Sequence, residues 1–199
     1  MKQLLLIFLK NAIEGKVKTR LAATLGDATA LSVYTQLLAH TMRCTRTLQV
    51  DKAVCYSHYL ETADIWDEAC YTKQVQRGED LGARMENAFE AAFADGYEQV
   101  VIIGSDCLEI SAEVIKAAFD RLGHCDVVFG PALDGGYYLL GTKSLCKPLF
   151  RGISWSTGMV LEESMKVCSE LGLETSLLPV LSDIDNEADL RRMGDKIKW

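Results

Sequence analysis

The chain has 199 residues, of which 49% are hydrophobic and 25% charged, and its net charge is −7. This size and balance predict one domain over residues 1–199, while the negative charge excludes non-specific binding to nucleic acid, which needs a basic surface. The apolar runs are too short to cross a bilayer, so no membrane partner is expected. The seven cysteines include no C-x-x-C pair, which favours reduced thiols in the cytoplasm.

Apolar runs of strand length alternate with amphipathic stretches of helical length. In the first half of the chain, the runs predict strands over residues 3–9, 52–56 and 72–76. Helices are predicted over residues 27–47, which Asp27 can cap, over 64–70, and over 80–94, which Asp80 opens. Residues 10–20 carry four cations and are predicted to form a glycine-containing loop.

The second half continues the same alternation. Strands are predicted over residues 99–103, 126–129, 137–140 and 176–181. Helices are predicted from Ser111 to residue 122, from a Thr157 cap to residue 171, and over residues 187–198. Strands that alternate with helices are typical of α/β proteins, so we expect a single Rossmann-like domain with a mostly parallel central sheet and helices on both faces.

Polar clusters follow four of the predicted strands, each just after the strand ends. In an open α/β sheet, ligands bind in the crevice beyond the carboxyl ends of the strands. We therefore expect the four clusters to meet at one edge of the sheet and to form the functional site. They are the basic loop, the Ser105-Asp106 pair, the turn from Asp134 to Gly136, and the segment from Asp183 to Asp185.

The basic loop suits a phosphate ligand, although it lacks the spacing of a P-loop. Gly15 permits close backbone approach, Lys18 offers a point charge, and Arg20 can make a bidentate contact with a diphosphate. The alternative is a basic surface loop that only contributes solubility.

Two aspartates at this edge suggest chemistry of different kinds. Asp106 would repel a phosphate unless Mg²⁺ or Mn²⁺ lay between them, so it is a candidate metal ligand; alternatively, it caps the following helix. Asp134 precedes Gly135 and Gly136, which let the backbone approach a ring, but the same residues also predict a simple hairpin turn. Trp155 can stack on a base or a sugar, or belong to the core.

Six short segments together resemble one bacterial family. They are K-T-R-L-A (18–22), Q-R-G-E-D-L-G-A-R-M (76–85), G-S-D-C (104–107), G-P-A-L-D-G-G-Y-Y-L-L-G (130–141), W-S-T (155–157) and D-I-D (183–185). In this order they resemble DUF2064, a family of presumed glycosyltransferases also described as selenodomain-associated transferases. That family is similar to the GT-A nucleotide-diphospho-sugar transferases, and to nucleotidyltransferases such as the molybdenum-cofactor and 2-phospholactate guanylyltransferases.

The resemblance implies a GT-A domain and a role for each matching residue. Lys18 and Arg20 would hold the nucleotide phosphates, Asp106 would bind the metal, Asp185 would complete the metal site, and Asp134 would lie near the donor sugar or the acceptor. The sequence departs from the family in two places: residues 11–15 contain no proline, and Leu108 stands where the family favours proline. Both changes remove local rigidity from those loops rather than chemical groups.

These observations lead to one expected function and two alternatives. The expected protein is a transferase that depends on Mg²⁺ or Mn²⁺, binds a nucleoside-diphosphate sugar, and uses Asp134 as general base toward an acceptor hydroxyl. The first alternative is a nucleotidyltransferase that attacks the α-phosphorus of a nucleoside triphosphate and releases pyrophosphate. The second is a nucleotide-binding module without catalytic activity.

Overall fold

A computed structural model describes residues 1–198 and shows seven strands and six α-helices; Trp199, the last residue of the predicted domain, lies outside the described residues. The strands are β1 (Gln3–Leu9), β2 (Asp51–Tyr56), β3 (Thr72–Val75), β4 (Gln99–Ile103), β5 (Val127–Pro131), β6 (Tyr137–Thr142) and β7 (Thr175–Leu177). The helices are α1 (Thr19–Leu25), α2 (Asp27–Arg46), α3 (Leu81–Ala94), α4 (Ala112–Leu122), α5 (Val160–Glu170) and α6 (Glu187–Met193).

The strands form one mostly parallel sheet, as predicted, in the order β3-β2-β1-β4-β6-β5-β7. Strand β6 pairs antiparallel with β4 and with β5, and the other neighbouring pairs are parallel. Residues 132–136 between β5 and β6 are too few for a crossover, so the chain turns back as a hairpin. Strand β6 therefore begins at the edge where the parallel strands end.

Helices cover both faces of the sheet because β1 is apolar on both sides. Leu5 and Ile7 face a buried cluster that includes Tyr34 of α2 and Ile115 of α4. Leu4 and Leu6 face the opposite cluster, which includes Phe89 of α3 and Cys168 of α5. The predicted α/β class and helix placement are confirmed. None of the helices within residues 1–198 is long and apolar enough to span a membrane.

In two places the helix predictions were wrong. Residues 64–70 form turns, because the Asp64 carboxylate accepts hydrogen bonds from the Tyr56 hydroxyl and the Trp66 backbone N–H instead of starting a helix. Helix α1 was missed: it begins inside the predicted basic loop and ends at Gly26, whose φ of +85° breaks it. Gly26 rather than Asp27 is the N-cap of α2.

The second half differs mainly in the ends of its elements. Strand β7 ends at Leu177, earlier than predicted, and Leu181 makes only an isolated bridge with Ala132. Helix α5 begins at Val160, after Thr157, whose hydroxyl accepts a hydrogen bond from the Met159 N–H. Helix α6 stops at Met193 and gives way to a 3-10 turn over Gly194–Lys196.

Candidate active site

Three of the four predicted polar clusters meet at one point beyond the carboxyl ends of β1 and β4. The ammonium nitrogen of Lys18 lies 2.9 Å from Asp106 Oδ2 and 3.0 Å from Asp185 Oδ1. Arg20 Nη1 lies 3.6 Å from the other oxygen of Asp185. The basic loop, the end of β4 and the segment before α6 thus form one charged cluster.

The backbone holds Lys18 in this position in an uncommon conformation. Lys18 immediately precedes α1 with a φ of 47°, in the left-handed region that non-glycine residues rarely adopt. Its side chain is 4% exposed, whereas those of Asp106 and Asp185 are 42% and 39% exposed. The ammonium group is therefore buried beneath two carboxylates that face solvent.

A backbone contact fixes the two carboxylates relative to each other. The Ile184 N–H donates a hydrogen bond to the Asp106 carbonyl at 3.1 Å, joining the end of β4 to the 183–185 segment. Ile184 is fully buried, so Asp183 and Asp185 flank an anchored core residue. On the other side, the Asp185 N–H donates to Asp189 Oδ2 at 3.0 Å, within the capped start of α6.

Lys18 and Asp185 hold each other in their charged forms. Burial alone would lower the pKa of Lys18, but the nearby Asp106 and Asp185 carboxylates outweigh it and raise the pKa above its usual value. Burial alone would raise the pKa of Asp185, but Lys18 and then Arg20 lower it. The pair therefore remains ionic at neutral pH.

Asp183 also belongs to the cluster; the sequence placed it in the polar segment at this edge but assigned it no role of its own. Burial, followed by the negative charges of Asp106 and Asp134, raises the pKa of Asp183 to about 7 against the opposing effect of Lys18. The signal that could have given it a role is the spacing of the D-I-D pattern, in which a buried isoleucine separates two acids on the same side of an extended segment.

Asp134 lies in the turn between β5 and β6, so the hairpin alternative describes its local structure. Its Oδ1 accepts a hydrogen bond from the Gly136 N–H at 2.9 Å, and its side chain is exposed. Gly135 has a φ of +88°, and a Cβ there would lie 2.1 Å from the Gly158 carbonyl oxygen. The turn is thus pressed against the loop that follows Trp155, which requires glycine at this position.

Trp155 packs against its neighbours as a core residue would, and it also borders a cavity. A Cβ on Gly82 would lie 2.3 Å from the indole Nε1, so the ring packs directly on the backbone of α3, and it also meets the Tyr137 ring edge-on at 6.5 Å. The half-buried indole also lines an open cavity of about 500 Å³. The other polar residues lining this cavity are Asp80, Glu86, Asn87 and Arg151.

The charged cluster suits a divalent cation that brings phosphate with it. Within residues 1–198, no group of three or more His, Cys, Asp or Glu side chains is arranged to hold a metal by itself. Mg²⁺ is commonly bound by only one or two carboxylates together with substrate phosphates. Asp106 and Asp185 provide two converging, partly exposed carboxylates, so their chemistry fits Mg²⁺ or Mn²⁺ in company with a phosphate ligand.

Comparisons with known proteins identify the family and the fold of this chain. Residues 38–157 match the family described as "Uncharacterized protein conserved in bacteria (DUF2064)". The structure of a presumed nucleotide-diphospho-sugar transferase from Desulfovibrio desulfuricans G20 superposes with a TM-score of 0.88 and 34% identity, over 98% of this chain and 89% of that one. No curated protein matches the sequence significantly.

Two more distant structures share the fold alone. The 2-C-methyl-D-erythritol 4-phosphate cytidylyltransferase from Thermus thermophilus has a TM-score of 0.58 and 14% identity, over 96% of this chain and 97% of that one. Rv0371C from Mycobacterium tuberculosis H37Rv, solved as a complex with manganese, has a TM-score of 0.57 and 11% identity, over 97% of this chain and 98% of that one. The fold is thus one that nucleotide-using transferases adopt.

Proposed function

The chain belongs to the DUF2064 family, and we propose that it is a metal-dependent transferase that passes the glycosyl group of a nucleoside-diphosphate sugar to a small acceptor. The observation that carries this proposal is the convergence of Lys18, Asp106 and Asp185 at the carboxyl edge, beside a basic loop. Two carboxylates and a cation within 3 Å form a site that accepts a diphosphate only together with a divalent ion.

Each residue has a distinct role in this proposal. Asp106 and Asp185 hold the divalent ion, which, when bound, neutralises charge on the leaving diphosphate. Arg20, whose side chain is 74% exposed, is free to turn its guanidinium toward the phosphates. Gly15, with a φ of +72°, lets the loop backbone approach the same group. Stabilising the leaving charge in this way lowers the barrier to glycosyl transfer.

We assign the acceptor to the cavity beside Trp155. The Asp134 turn packs against Gly158, three residues beyond Trp155 of the cavity wall, which supports placing the acceptor on this side of the turn. The Gly136 N–H orients one oxygen of Asp134, which is positioned to take a proton from an acceptor hydroxyl within hydrogen-bond reach. Gly136 leaves the space beside that carboxylate without a side chain, since a Cβ there would lie 3.2 Å from Asp134 Oδ1.

A nucleotidyltransferase is the second candidate. The exposed cation Lys16 lies beside Gly15, and Arg20 is exposed in the same loop. Two exposed cations would suit the additional phosphate group and negative charge of a triphosphate. The two candidates differ in their products, because a nucleotidyltransferase releases pyrophosphate and a glycosyltransferase releases a nucleoside diphosphate.

The test is a thermal-shift screen of nucleotide sugars and nucleoside triphosphates, with and without Mn²⁺, followed by product analysis for any ligand that binds. A ligand at a hundredfold excess over its dissociation constant adds about 2.7 kcal/mol to the free energy of unfolding. We expect a Mn²⁺-dependent shift with one class of nucleotide sugar, lost in Asp106→Ala and retained in Asp120→Asn, an exposed position on α4. A shift with triphosphates alone would favour the second candidate.

A second variant tests the assigned base. Asp134→Asn should retain donor binding and lose most of its turnover, because the amide cannot accept the proton. Full turnover in this variant would remove Asp134 from the mechanism without affecting the donor site.

A further inference from the structure

Phosphate binding alone does not explain the position of Lys18 between two carboxylates. Its ammonium group lies between Asp106 and Asp185 at 2.9 and 3.0 Å, where a cation bound by both carboxylates would sit. Within residues 1–198, only Lys18 and Ser156 have a positive φ without being glycine. Backbone strain of this kind persists where the surrounding structure imposes it, and it concentrates at functional sites.

The ammonium group and a divalent ion cannot occupy this position together. Mg²⁺ lies about 2.0–2.1 Å from its carboxylate oxygens, so an ion held by both aspartates would take the volume that the nitrogen now fills. The positive charge of Lys18 also opposes the entry of a second cation. Metal binding therefore requires the lysine side chain to move away from at least one of its two partners.

A donor diphosphate supplies a reason for that movement. Lysine is a compact charge on a flexible stem, and the stem allows the ammonium to exchange one anion for another nearby. The loop that carries Lys18 also carries Gly15 and Arg20, the groups that face a diphosphate in the proposed function. The phosphate oxygens can therefore accept the ammonium while the aspartates accept the metal.

We propose that Lys18 is the resident counter-cation of this site and excludes the divalent ion until a diphosphate-bearing ligand binds. The inference rests on the proposed function, since it takes Asp106 and Asp185 as the metal ligands. It predicts that nucleotide and metal each strengthen the binding of the other, because each removes the obstacle to its partner. It also predicts that the protein without nucleotide binds Mn²⁺ weakly.

The test measures Mn²⁺ binding to the full chain without nucleotide, and the electron paramagnetic resonance signal of the free ion reports how much Mn²⁺ remains unbound. Lys18→Met should bind Mn²⁺ at least about tenfold more tightly than the wild type, since even aqueous screening leaves that much repulsion between a unit charge and a divalent ion about 4 Å apart. Lys116→Met removes an exposed charge from α4, away from the site, and should leave the affinity unchanged. Lys18→Arg keeps the charge and should remain close to the wild type.

Further outcomes separate this proposal from the proposed function. Adding Asp106→Asn to Lys18→Met should abolish the gained affinity. Equal Mn²⁺ affinity in the wild type and Lys18→Met would overturn the role of Lys18, and a loss of that binding in Asp106→Asn would leave the metal site standing. If no variant binds Mn²⁺ even with uridine or guanosine diphosphate, both proposals fail. Should Lys18→Met not fold, the wild type decides: its Mn²⁺ affinity must rise when either diphosphate is added, and an unchanged affinity refutes the inference.

Discussion

The substitution Asp183→Asn should stabilise the protein at neutral and alkaline pH. The pKa of Asp183 is raised from 3.8 to about 7 by burial and by neighbouring carboxylates, so the folded chain holds a proton that the unfolded chain has released. Between these two pKa values the folded state binds more protons, and the free energy of unfolding therefore decreases as the pH rises. Asparagine has no carboxyl group to ionise and removes this loss.

The size of the effect follows from the shift. Each pKa unit corresponds to about 1.36 kcal/mol, so a shift of about three units gives the variant an advantage that grows to about 4 kcal/mol between about pH 4 and pH 8. The assay is urea unfolding of both proteins at intervals across this range, with EDTA present so that no metal ion binds the carboxylates. The two stabilities should converge at the acid end.

Asp185→Asn provides a control of opposite sign two residues away. Lys18 outweighs burial and lowers the pKa of Asp185, so its contribution to stability is present above the unfolded pKa and is lost as the pH falls. This variant should therefore be less stable than the wild type at neutral pH. If Asp183→Asn were also less stable there, or if its advantage did not change with pH, ionisation of Asp183 would not be what lowers the free energy of unfolding.

Two further substitutions test the packing around the site. Gly135→Ala should lower the free energy of unfolding by about 2 kcal/mol or more, since it combines a φ of +88° with a Cβ 2.1 Å from the Gly158 oxygen. Gly172 has a φ of +66° with open space around it, so Gly172→Ala should lower the free energy of unfolding by only about 1 kcal/mol. Urea unfolding measures both losses. Similar losses for both would show that the contact with Gly158 is not limiting. Glu86→Gln breaks a two-point ion pair with Arg151, whose hydrogen bonds lower the pKa of the glutamate. Its destabilisation should be full above pH 4.5, the usual pKa, and disappear as the pH falls further; a pH-independent loss would contradict this origin.

Much of the fold follows from local patterns. The continuous apolar runs of β1 and β4 and the helical spacing in α2 and α3 are properties of short segments, so they identify those elements from the sequence alone. The rule that ligands bind beyond the carboxyl ends of parallel strands also groups the basic loop with Asp106 without any knowledge of distances. The family resemblance points to the same residues, and membership of that family was confirmed.

The sequence was less informative where several local signals competed. Asp64 resembles a helix start, but its carboxylate bonds to Tyr56, which belongs to a different element, and the helix does not form. Helix α1 was hidden within a basic segment because its stability comes from Leu21, which is buried against α2 and α6, and not from a cap or a favourable charge pattern. Contacts of this kind join residues that are far apart in the chain, so no short segment of the sequence reveals them.

Only the tertiary structure decided the state of the charged cluster. From the sequence, Lys18 was predicted to bind phosphate and Asp185 to bind a metal, but nothing in it indicated that the two, 167 residues apart, are bonded to each other. It also assigned no role to Asp183, because the raised pKa of this residue arises from burial and from charges on other segments. The types of charged residue are a property of the sequence. Their pairing and protonation depend on distances and burial, which exist only once the sheet has brought distant segments together.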